Sequence, residues 1–391
     1  MKILMLSTDE NIFIEGSEVW RRMIEYGSLV EELHIIIKNQ NSPLRQGFAG
    51  QANLKTQNFG NVFVYPTNSY WSFFYLWDAY RISSGILRNL KLETPQESKH
   101  PAGQVRNCVI TTQNPFETGL VGYLLKRKFR LPLQVQIHTD FLSPYFGQES
   151  WKNKMRVILG QWLVKKADGL RVVSERIKNS LLSLYPKPYT LNSVTVLPIF
   201  VDIEKIRNAS IKTDLRHKYP DRFIILMASR LTKEKNIGLA VAAMEEIVKV
   251  YPQALLLIVG SGPEQKNLKS QISNLKLQNN IIIENWSDDL ASYYKTADLF
   301  LLTSNYEGHG RTVVEATTAD LPVLMTDVGI AIGSVVPVGD YKVLADKLGS
   351  IISGKLTEEE ILEKQKKVLN FYRSYNDFLD QIKRSWENCF S

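Results

Sequence analysis

Two glutamates that could bind hydroxyl groups, Glu307 and Glu315, lie eight positions apart in the stretch SNYEGHGRTVVEATTADLP, residues 304–322. An ionised carboxylate only accepts hydrogen bonds, so such a pair is suited to the hydroxyls of a sugar or a ribose. Thr312 and Glu315 also fit the S/T-x-x-E capping box of a helix start. That second interpretation accounts for Glu315 and leaves Glu307 unexplained.

The main chain between the two glutamates could bind an anion. Gly308 and Gly310 would let a ligand approach the backbone closely. The N–H groups of Arg311, Thr312 and Val313 would then point from the start of a helix toward the ligand, an arrangement that favours phosphate.

A second junction, ASRLTKEKN at 228–236, places Arg230 and Lys235 between a predicted strand and a predicted helix. Cations at a helix amino terminus are unfavourable with its dipole, so their position suggests a bound anion. The alternative is a pair of solvated surface cations. Amides and cations would bind phosphate, and the carboxylates would bind hydroxyls. A ligand that carries both groups is a nucleotide sugar.

The elements that must position these residues follow an α/β pattern. Short apolar runs alternate with helical patterns from residues 2–7 onward, and the pattern restarts at 223–229. This predicts two Rossmann-like, doubly wound parallel-sheet domains facing a cleft, with a boundary inside the polar segment 199–222. We therefore predict one domain over 1–200 and a second over 201–370. Ligands of such sheets bind outside the carboxyl ends of the strands, where both junctions lie.

Composition narrows the class of protein. The 391 residues are 44% hydrophobic, with two cysteines and a net charge of +8. This predicts a reducing, cytoplasmic location and an anionic partner, and argues against a disulfide framework or a zinc site. No apolar run is long enough to span a membrane. Neither G-x-G-x-x-G nor a P-loop occurs, which disfavours NAD binding and P-loop hydrolysis, and we expect no nucleic-acid partner.

Two segments could contact a membrane surface. The basic stretch 151–166 carries apolar residues at helical spacing, and the run 69–80 is rich in aromatics. A peripheral helix on an anionic membrane and an ordinary core-facing stripe explain the first equally well. The apolar positions in question are Met155, Ile158, Leu159, Trp162 and Leu163.

Over nearly its whole length, and most strongly over 223–327, the sequence resembles the retaining glycosyltransferases of family 4, the group 1 glycosyltransferases of GT-B fold. The family's E-x7-E motif matches Glu307 to Glu315, its G-R-L-x-x-E-K-G segment matches SRLTKEKN, and its V-G-x-G-P turn matches 259–263. Further matches in the first half are the strand-end histidine at His138, VVSE at 172–175 and LPIFVD at 197–202.

The resemblance implies roles for the residues of the second half. Arg230 and Lys235 would neutralise the donor diphosphate as the nucleotide leaves, assisted by backbone amides over 310–313. Glu307 would hold hydroxyls of the transferred sugar, and Glu315 would hold the ribose.

In the first half, the resemblance implies that His138 contacts the sugar and that Gly16 leaves room for the phosphates. The domain over 1–200 would then be the acceptor side, with the segment 371–391 crossing back onto it, and the domain over 201–370 would bind the donor. The implied reaction moves a hexose from a nucleotide diphosphate sugar to a glycan or lipid-linked acceptor in surface glycan assembly. It would keep the anomeric configuration and need no metal or cofactor, in agreement with a sequence that has no D-x-D motif.

The sequence departs from the family pattern at several positions. Asp320 replaces a glycine, Ile199–Phe200 replaces an Asn-Gly pair, and Gly16–Ser17 replaces a double glycine. The run 326–340 is also shorter than usual around 329–334. Two alternatives therefore stay open: a GT-B nucleotide-sugar epimerase or hydrolase, and a weakened nucleotide-sugar-binding protein.

Overall fold

The computed structural model describes residues 1–39, 54–69, 74–90, 107–184, 194–372 and 374–390. These residues form two compact units. Unit 1 comprises 1–141, 154–197 and 376–391, and unit 2 comprises 142–153 and 198–375. The sequence favours an exposed insertion over 91–104, and that segment lies outside the described residues.

Unit 1 is built on an eight-stranded sheet with the order β3-β4-β2-β1-β5-β6-β7-β8, in which β3 alone is antiparallel to its neighbour. The strands are β1 Lys2–Ser7, β2 Glu32–Ile37, β3 Gln57–Phe59, β4 Val62–Pro66, β5 Cys108–Thr112, β6 Leu133–Ile137, β7 Gly169–Val172 and β8 Val194–Val196. Strands such as β1 and β5 are apolar and buried on both faces, as expected for a parallel sheet covered by helices.

The α-helices whose residues lie wholly or mostly in unit 1 are α1 Glu18–Ser28, α2 Tyr75–Asn89, α3 Glu117–Phe129, α5 Trp151–Val164, α6 Glu175–Leu184 and α15 Tyr375–Glu387. From β1 the chain passes through α1 to β2 on one side, and it later returns through α2 to β5 on the other side of β1. Right-handed crossovers in opposite directions place α1 on one face of the sheet and α2 and α3 on the other. The carboxyl-terminal helix α15 joins α1, since the rings of Tyr26 and Trp386 meet edge to face at 6.0 Å.

Unit 2 is built on a six-stranded parallel sheet with the order β11-β10-β9-β12-β13-β14. The strands are β9 Phe223–Ala228, β10 Ala254–Val259, β11 Ile281–Glu284, β12 Leu299–Leu302, β13 Val323–Thr326 and β14 Ser334–Val336. Its helices are α4 Pro144–Gln148, α7 Ile203–Arg207, α8 Leu215–Lys218, α9 Ile237–Val250, α10 Gln265–Asn274, α11 Leu290–Thr296, α12 Arg311–Thr318, α13 Tyr341–Ile352 and α14 Glu358–Lys366. Four short 3-10 helices complete the described elements of the chain, at Glu10–Phe13, Lys233–Lys235, Lys367–Tyr372 and Asn388–Phe390.

The segment 142–153 belongs to unit 2, although its neighbours in sequence belong to unit 1. The cause is aromatic packing: the buried rings of Phe146 and Tyr306 meet edge to face at 5.6 Å. The predicted division of the chain at residue 200 does not include this placement of 142–153 in unit 2. One buried phenylalanine gives no signal in a local sequence pattern.

Candidate functional site

The loops that carry the predicted donor residues follow β9 and β12, which are adjacent in the sheet of unit 2. From β9 the chain builds outward through β10 and β11, and then returns to the other side of β9 with β12. This reversal makes the carboxyl ends of β9 and β12 a topological switch point, the place where open α/β sheets bind ligands.

Lys235 is the central cation of this site. Its Nζ lies 2.6 Å from Glu307 Oε1 and 3.0 Å from Glu234 Oε1. Glu234 also accepts a hydrogen bond of 3.2 Å from Arg230 Nη2. The Lys235 side chain is 13% exposed, whereas that of Arg230 is 73% exposed and reaches into solvent.

Burial alone would lower the pKa of Lys235, but the carboxylates of Glu307 and Glu234 outweigh it and raise that pKa above its ordinary value. The side chain is therefore a permanent cation at physiological pH. A permanent cation here suits the negative charge that develops on a departing phosphate.

Glu307 is held by one oxygen. Its Oε1 accepts hydrogen bonds from Lys235 Nζ at 2.6 Å and from Ser304 Oγ at 2.8 Å. No described residue donates a hydrogen bond to its second oxygen, Oε2. The carboxylate is thus fixed in direction while one oxygen can still accept a hydroxyl.

Hydrogen bonds tie the loop after β9 to the loop after β12. Thr303 Oγ1 donates to the carbonyls of Lys235 and Asn236, both at 3.0 Å. Asn236 Nδ2 donates to Asn305 Oδ1 at 2.9 Å, and Asn305 N donates to Glu234 O at 2.8 Å. The Lys235–Glu307 pair is therefore positioned by the backbone of both loops.

Helix α12 begins without a side-chain cap. Its N-cap residue is Gly310, with φ at 98°, and no side chain accepts from the first amides. Thr312 is the second residue of the helix, so the capping-box interpretation of Thr312 and Glu315 is wrong. The N–H of Val313 donates to the carbonyl of Gly310 at 3.0 Å and is thus engaged within the helix start, so an anion site on the amides of Arg311, Thr312 and Val313 stays a prediction.

Glu315 lies inside α12, one turn from its start. Its Oε1 accepts from Arg311 Nε at 2.9 Å and its Oε2 from the hydroxyl of Tyr294 at 2.9 Å. Tyr294 is fully buried, and burial followed by the Glu315 charge raises its phenol pKa. Glu315, the residue predicted to bind the ribose, is therefore held in place by a tyrosine of α11. The sequence alone gave no reason to select that tyrosine.

The glycine-bracketed turn after β10 packs directly on the loop that carries Arg230. A Cβ on Gly260 would lie 1.9 Å from the carbonyl oxygen of Ser229, and one on Gly262 would lie 2.4 Å from that of Leu231. Backbone hydrogen bonds from Leu231 N to Ser261 O and from Glu264 N to Leu231 O join the two loops. Both glycines are thus needed for close backbone approach.

Gly262→Ala is expected to lower the free energy of unfolding by about 2–4 kcal/mol, because two backbone segments must separate to admit the methyl group. Urea unfolding measures this effect. Gly238→Ala is the matched control: its Cβ would meet only the end of the Gln271 side chain at 3.4 Å, and it gains helix propensity in α9. Equal midpoints for the two variants would contradict the packing argument.

The remaining predicted residues lie in unit 1. His138 follows β6 at the carboxyl edge of the sheet, and its Nε2 lies 3.0 Å from Gln136 Oε1. Burial, with Arg171 and Arg22 adding repulsion, lowers the pKa of His138 to about 3, so the ring is neutral at pH 7. Gly16 has φ at 79° with open space around its Cα, just before the Ser17 N-cap of α1.

Two residues of the site in unit 2, Glu234 and Ser304, were not predicted as ligands. Glu234 matches the glutamate within the G-R-L-x-x-E-K-G segment, so the motif contained the signal. Ser304 ends the β12 run and gives no signal of its own.

The shortened run 326–340 passes from β13 to β14 through Gly329, and Ile330 N donates to His309 O at 3.1 Å.

Residues 212–368 match the family model for glycosyl transferases group 1. The matched region contains every element of the site in unit 2, from β9 to α12.

Curated relatives match about half of the chain. The chain is 28% identical over 236 residues to an alpha-monoglucosyldiacylglycerol synthase of Streptococcus pneumoniae, covering 57% of this chain and 52% of that protein. It is 32% identical to a poly(glycerol-phosphate) alpha-glucosyltransferase of Bacillus subtilis over 37% of this chain and 22% of that one. The chain spans about half the length of the first curated relatives it matches.

Solved structures resemble the chain over nearly its full length. HepE of Anabaena in complex with UDP and glucose superposes with a TM-score of 0.69 at 18% identity, covering 98% and 99% of the two chains. The sucrose-phosphate synthase of Thermosynechococcus elongatus gives 0.73 at 16% identity, covering 100% and 99%. These likenesses show the fold, and the predicted GT-B class of two parallel-sheet α/β domains is confirmed. No helix in the described part of the chain is long and apolar enough to cross a membrane.

Proposed function

We propose that this chain is a retaining, metal-independent hexosyltransferase of family 4. It would transfer a hexose from a nucleotide diphosphate sugar to a glycan or lipid-linked acceptor in surface polysaccharide or glycoconjugate biosynthesis. One observation carries the proposal: a largely buried Lys235–Glu307 ion pair of 2.6 Å lies at the switch point of the sheet, with one glutamate oxygen left to accept a hydrogen bond.

Some residues of this site are suited to the diphosphate of the donor, and others to its hydroxyl groups. The amino-terminal end of α12, Arg230 and Lys235 are suited to a diphosphate, because each offers positive charge or an N–H donor. Glu307 is suited to hydroxyls of the sugar, and Glu315, fixed by Tyr294, to the ribose. As the sugar leaves the diphosphate, charge grows on the phosphate that Lys235 and the amides would stabilise.

The proposal also includes the stereochemistry of the transfer and the class of acceptor. Retention would come from attack on the face that the nucleotide leaves, with the departing phosphate taking the acceptor proton. Neutral His138 would serve as a hydrogen-bond partner of the sugar. Relatives named for acting on diacylglycerol glycolipids, poly(glycerol phosphate) and a diphosphoundecaprenol support a lipid-linked or glycan acceptor.

Nucleotide binding is the first test. We expect one of UDP, GDP, ADP and CMP to raise the thermal unfolding midpoint. A ligand present at 100 times its Kd adds about 2.7 kcal/mol of stability. Lys235→Ala should lose most of that shift, whereas Lys233→Ala, which changes an exposed lysine of the same loop, should keep it. No shift with any nucleotide would contradict the donor site.

Transfer assays with the matching nucleotide sugar then distinguish the alternatives. Free sugar released without an acceptor would indicate a hydrolase, and donor binding without turnover across acceptors would indicate a binding protein. The anomeric proton of the product, followed by NMR, reports retention. Activity that is unchanged by EDTA supports metal independence, and activity lost in EDTA and restored by Mg²⁺ would overturn it.

We further propose that the enzyme works as a peripheral protein on an anionic membrane, at the cytoplasmic face. The apolar stripe of α5 is exposed rather than buried at three of its positions: Met155 is 56% exposed, Ile158 62% and Trp162 40%. Leu163 is buried and Leu159 is half-buried, so the core-facing interpretation accounts for only part of the stripe. Within the aromatic run, Tyr75 is buried, Phe74 and Trp77 are exposed, and residues 70–73 lie outside the described residues.

Charge on the same helix favours an anionic lipid surface over an apolar protein partner. Lys154, Lys165 and Lys166 are exposed on or just after α5. Exposed apolar side chains with flanking lysines are typical of helices that lie in a membrane interface.

Met155→Glu combined with Ile158→Glu is expected to reduce binding to phosphatidylglycerol vesicles at least about tenfold, because two carboxylates would enter the apolar interface. Co-sedimentation at low and high salt measures the effect. Val250→Glu is the matched control, since Val250 is an exposed apolar residue at the end of α9 in unit 2. Wild-type protein that stays in the supernatant at low salt would contradict membrane docking.

A further inference from the structure

Arg171 is a buried cation in the middle of an otherwise apolar strand pattern. It lies in β7 and is 5% exposed. Its Nη1 donates to Gln136 Oε1 at 3.2 Å, and its Nε has no hydrogen-bond partner. A guanidinium cannot lose its proton in a protein, so this charge stays inside unit 1.

Within the described part of the chain, no group of opposite charge balances Arg171. The groups that act electrostatically on its guanidinium are the hydroxyl of Tyr26 and the guanidinium of Arg22. Among the described residues, no carboxylate pairs with either arginine. Burial of a cation without a counter-ion is strongly unfavourable, and a second cation beside it adds repulsion.

A row of hydrogen bonds holds the amide of Gln136, to which Arg171 donates. Gln136 Nε2 donates to Thr111 Oγ1 at 2.9 Å, which fixes the amide and leaves Oε1 to accept from Arg171 and from His138 Nε2. The row continues from Thr111 Oγ1 to Gln134 Oε1 at 3.0 Å, and Gln134 Nε2 donates to Ser385 O at 2.8 Å.

The cluster lies near the edge of the sheet where ligands bind. Arg171 is the third of four residues in β7, and His138 directly follows β6. Arg22 lies on α1, one turn before Tyr26, and is partly exposed. A ligand could therefore reach Arg22 from solvent and act on the buried charge behind it.

We propose that Arg22 and Arg171, with His138, form an anion site in unit 1 that takes a phosphate group of the acceptor. This inference rests on the proposed transfer function, in which the diphosphate of the donor already has Lys235, Arg230 and the amides of α12. Arginine is the residue best suited to phosphate oxygens because its N–H groups can bind two of them at once.

Inorganic pyrophosphate is the probe, and the ring protons of His138 in NMR spectra are the readout. His138 is assigned by its loss in His138→Gln. Bound anion offsets the repulsion from the two arginines, so the titration of His138 should move to higher pH. The shift should persist in Arg81→Gln, a surface arginine of α2, and disappear in Arg22→Gln. Absence of any shift in the wild type would overturn the site.

Two further measurements identify the source of the phosphate. For an acceptor site, Arg22→Gln should raise the KM for a phosphate-bearing acceptor about tenfold and leave the affinity for the nucleotide unchanged. Equal loss of nucleotide affinity in Arg22→Gln and Lys235→Ala would assign the anion to the donor and overturn the acceptor assignment. Failure of the transfer function itself would be seen as no turnover with any donor, while the pyrophosphate experiment would still give its answer.

Arg171→Leu tests the buried charge directly. Without anions its unfolding midpoint should rise by about 2–4 °C, because an uncompensated cation is replaced by an apolar side chain. Pyrophosphate should then stabilise the variant less than the wild type. A lower midpoint together with full stabilisation by pyrophosphate would mean that Arg171 is only a structural hydrogen-bond donor, and would overturn its place in the site.

Discussion

Glu307→Gln is expected to lower the rate of sugar transfer by about 100- to 1000-fold, the loss typical of removing one preorganised polar group from a reacting centre. The amide keeps the size of the side chain and can still accept from Ser304 Oγ. It loses the charge that pairs with Lys235 and that strengthens hydrogen bonds to sugar hydroxyls. Single-turnover assays at saturating donor measure the effect.

Glu307→Gln is expected to leave the charge of Lys235 paired, because Lys235 keeps a second carboxylate partner. Its Nζ still lies 3.0 Å from Glu234 Oε1, so no buried cation is left without a carboxylate. Ser304→Ala is the control, since it removes one hydrogen bond to Glu307 and keeps the charge; its rate should fall less than about tenfold. Undiminished transfer by Glu307→Gln would remove Glu307 from the reaction.

Lys235→Ala is expected to lower kcat/KM by about 1000-fold and to weaken nucleotide binding. The substitution removes the only described cation that contacts Glu307, and leaves two carboxylates, Glu307 and Glu234, beside the position where the diphosphate would bind. Lost attraction and added repulsion then act together on the departing phosphate. Steady-state kinetics with the donor varied measure both parameters.

The pH dependence of stability gives an independent check on this lysine. Its pKa in the folded protein is raised, so the stability it contributes is fully present below its ordinary pKa of 10.5 and is lost as pH rises through the folded value. The difference in unfolding free energy between wild type and Lys235→Ala should be constant from about pH 7 to 10 and shrink above that. A difference that shrinks already near pH 8 would contradict the ion pair.

Much of the fold could be predicted because the strands are short, apolar and regularly spaced. The predicted runs at 2–7 and 223–229 correspond to β1 and β9 to within a residue. In these elements the local pattern and the tertiary structure favour the same outcome.

The parts that the sequence could not give depend on distant partners. The Thr312–Glu315 pattern suggested a capping box, but Gly310 starts the helix and Tyr294, 21 residues away, holds Glu315. Arg171 lies in the strand run GLRVVS, where nothing local indicates that its side chain is buried without a counter-ion. Loop positions at the switch point were predictable, whereas the identities of the supporting side chains were not.

The order in which the two units are completed follows from the way the chain is divided between them. Unit 1 begins with the first residue and still needs residues 376–391, where Trp386 packs against Tyr26 and Ser385 accepts from Gln134, 251 positions earlier. During synthesis, the sheet of unit 1 therefore keeps an uncovered apolar area beside α1 until α15 leaves the ribosome. Unit 2 extends only to Tyr375 and can close first, so the usual order of amino-terminal domain before carboxyl-terminal domain is reversed.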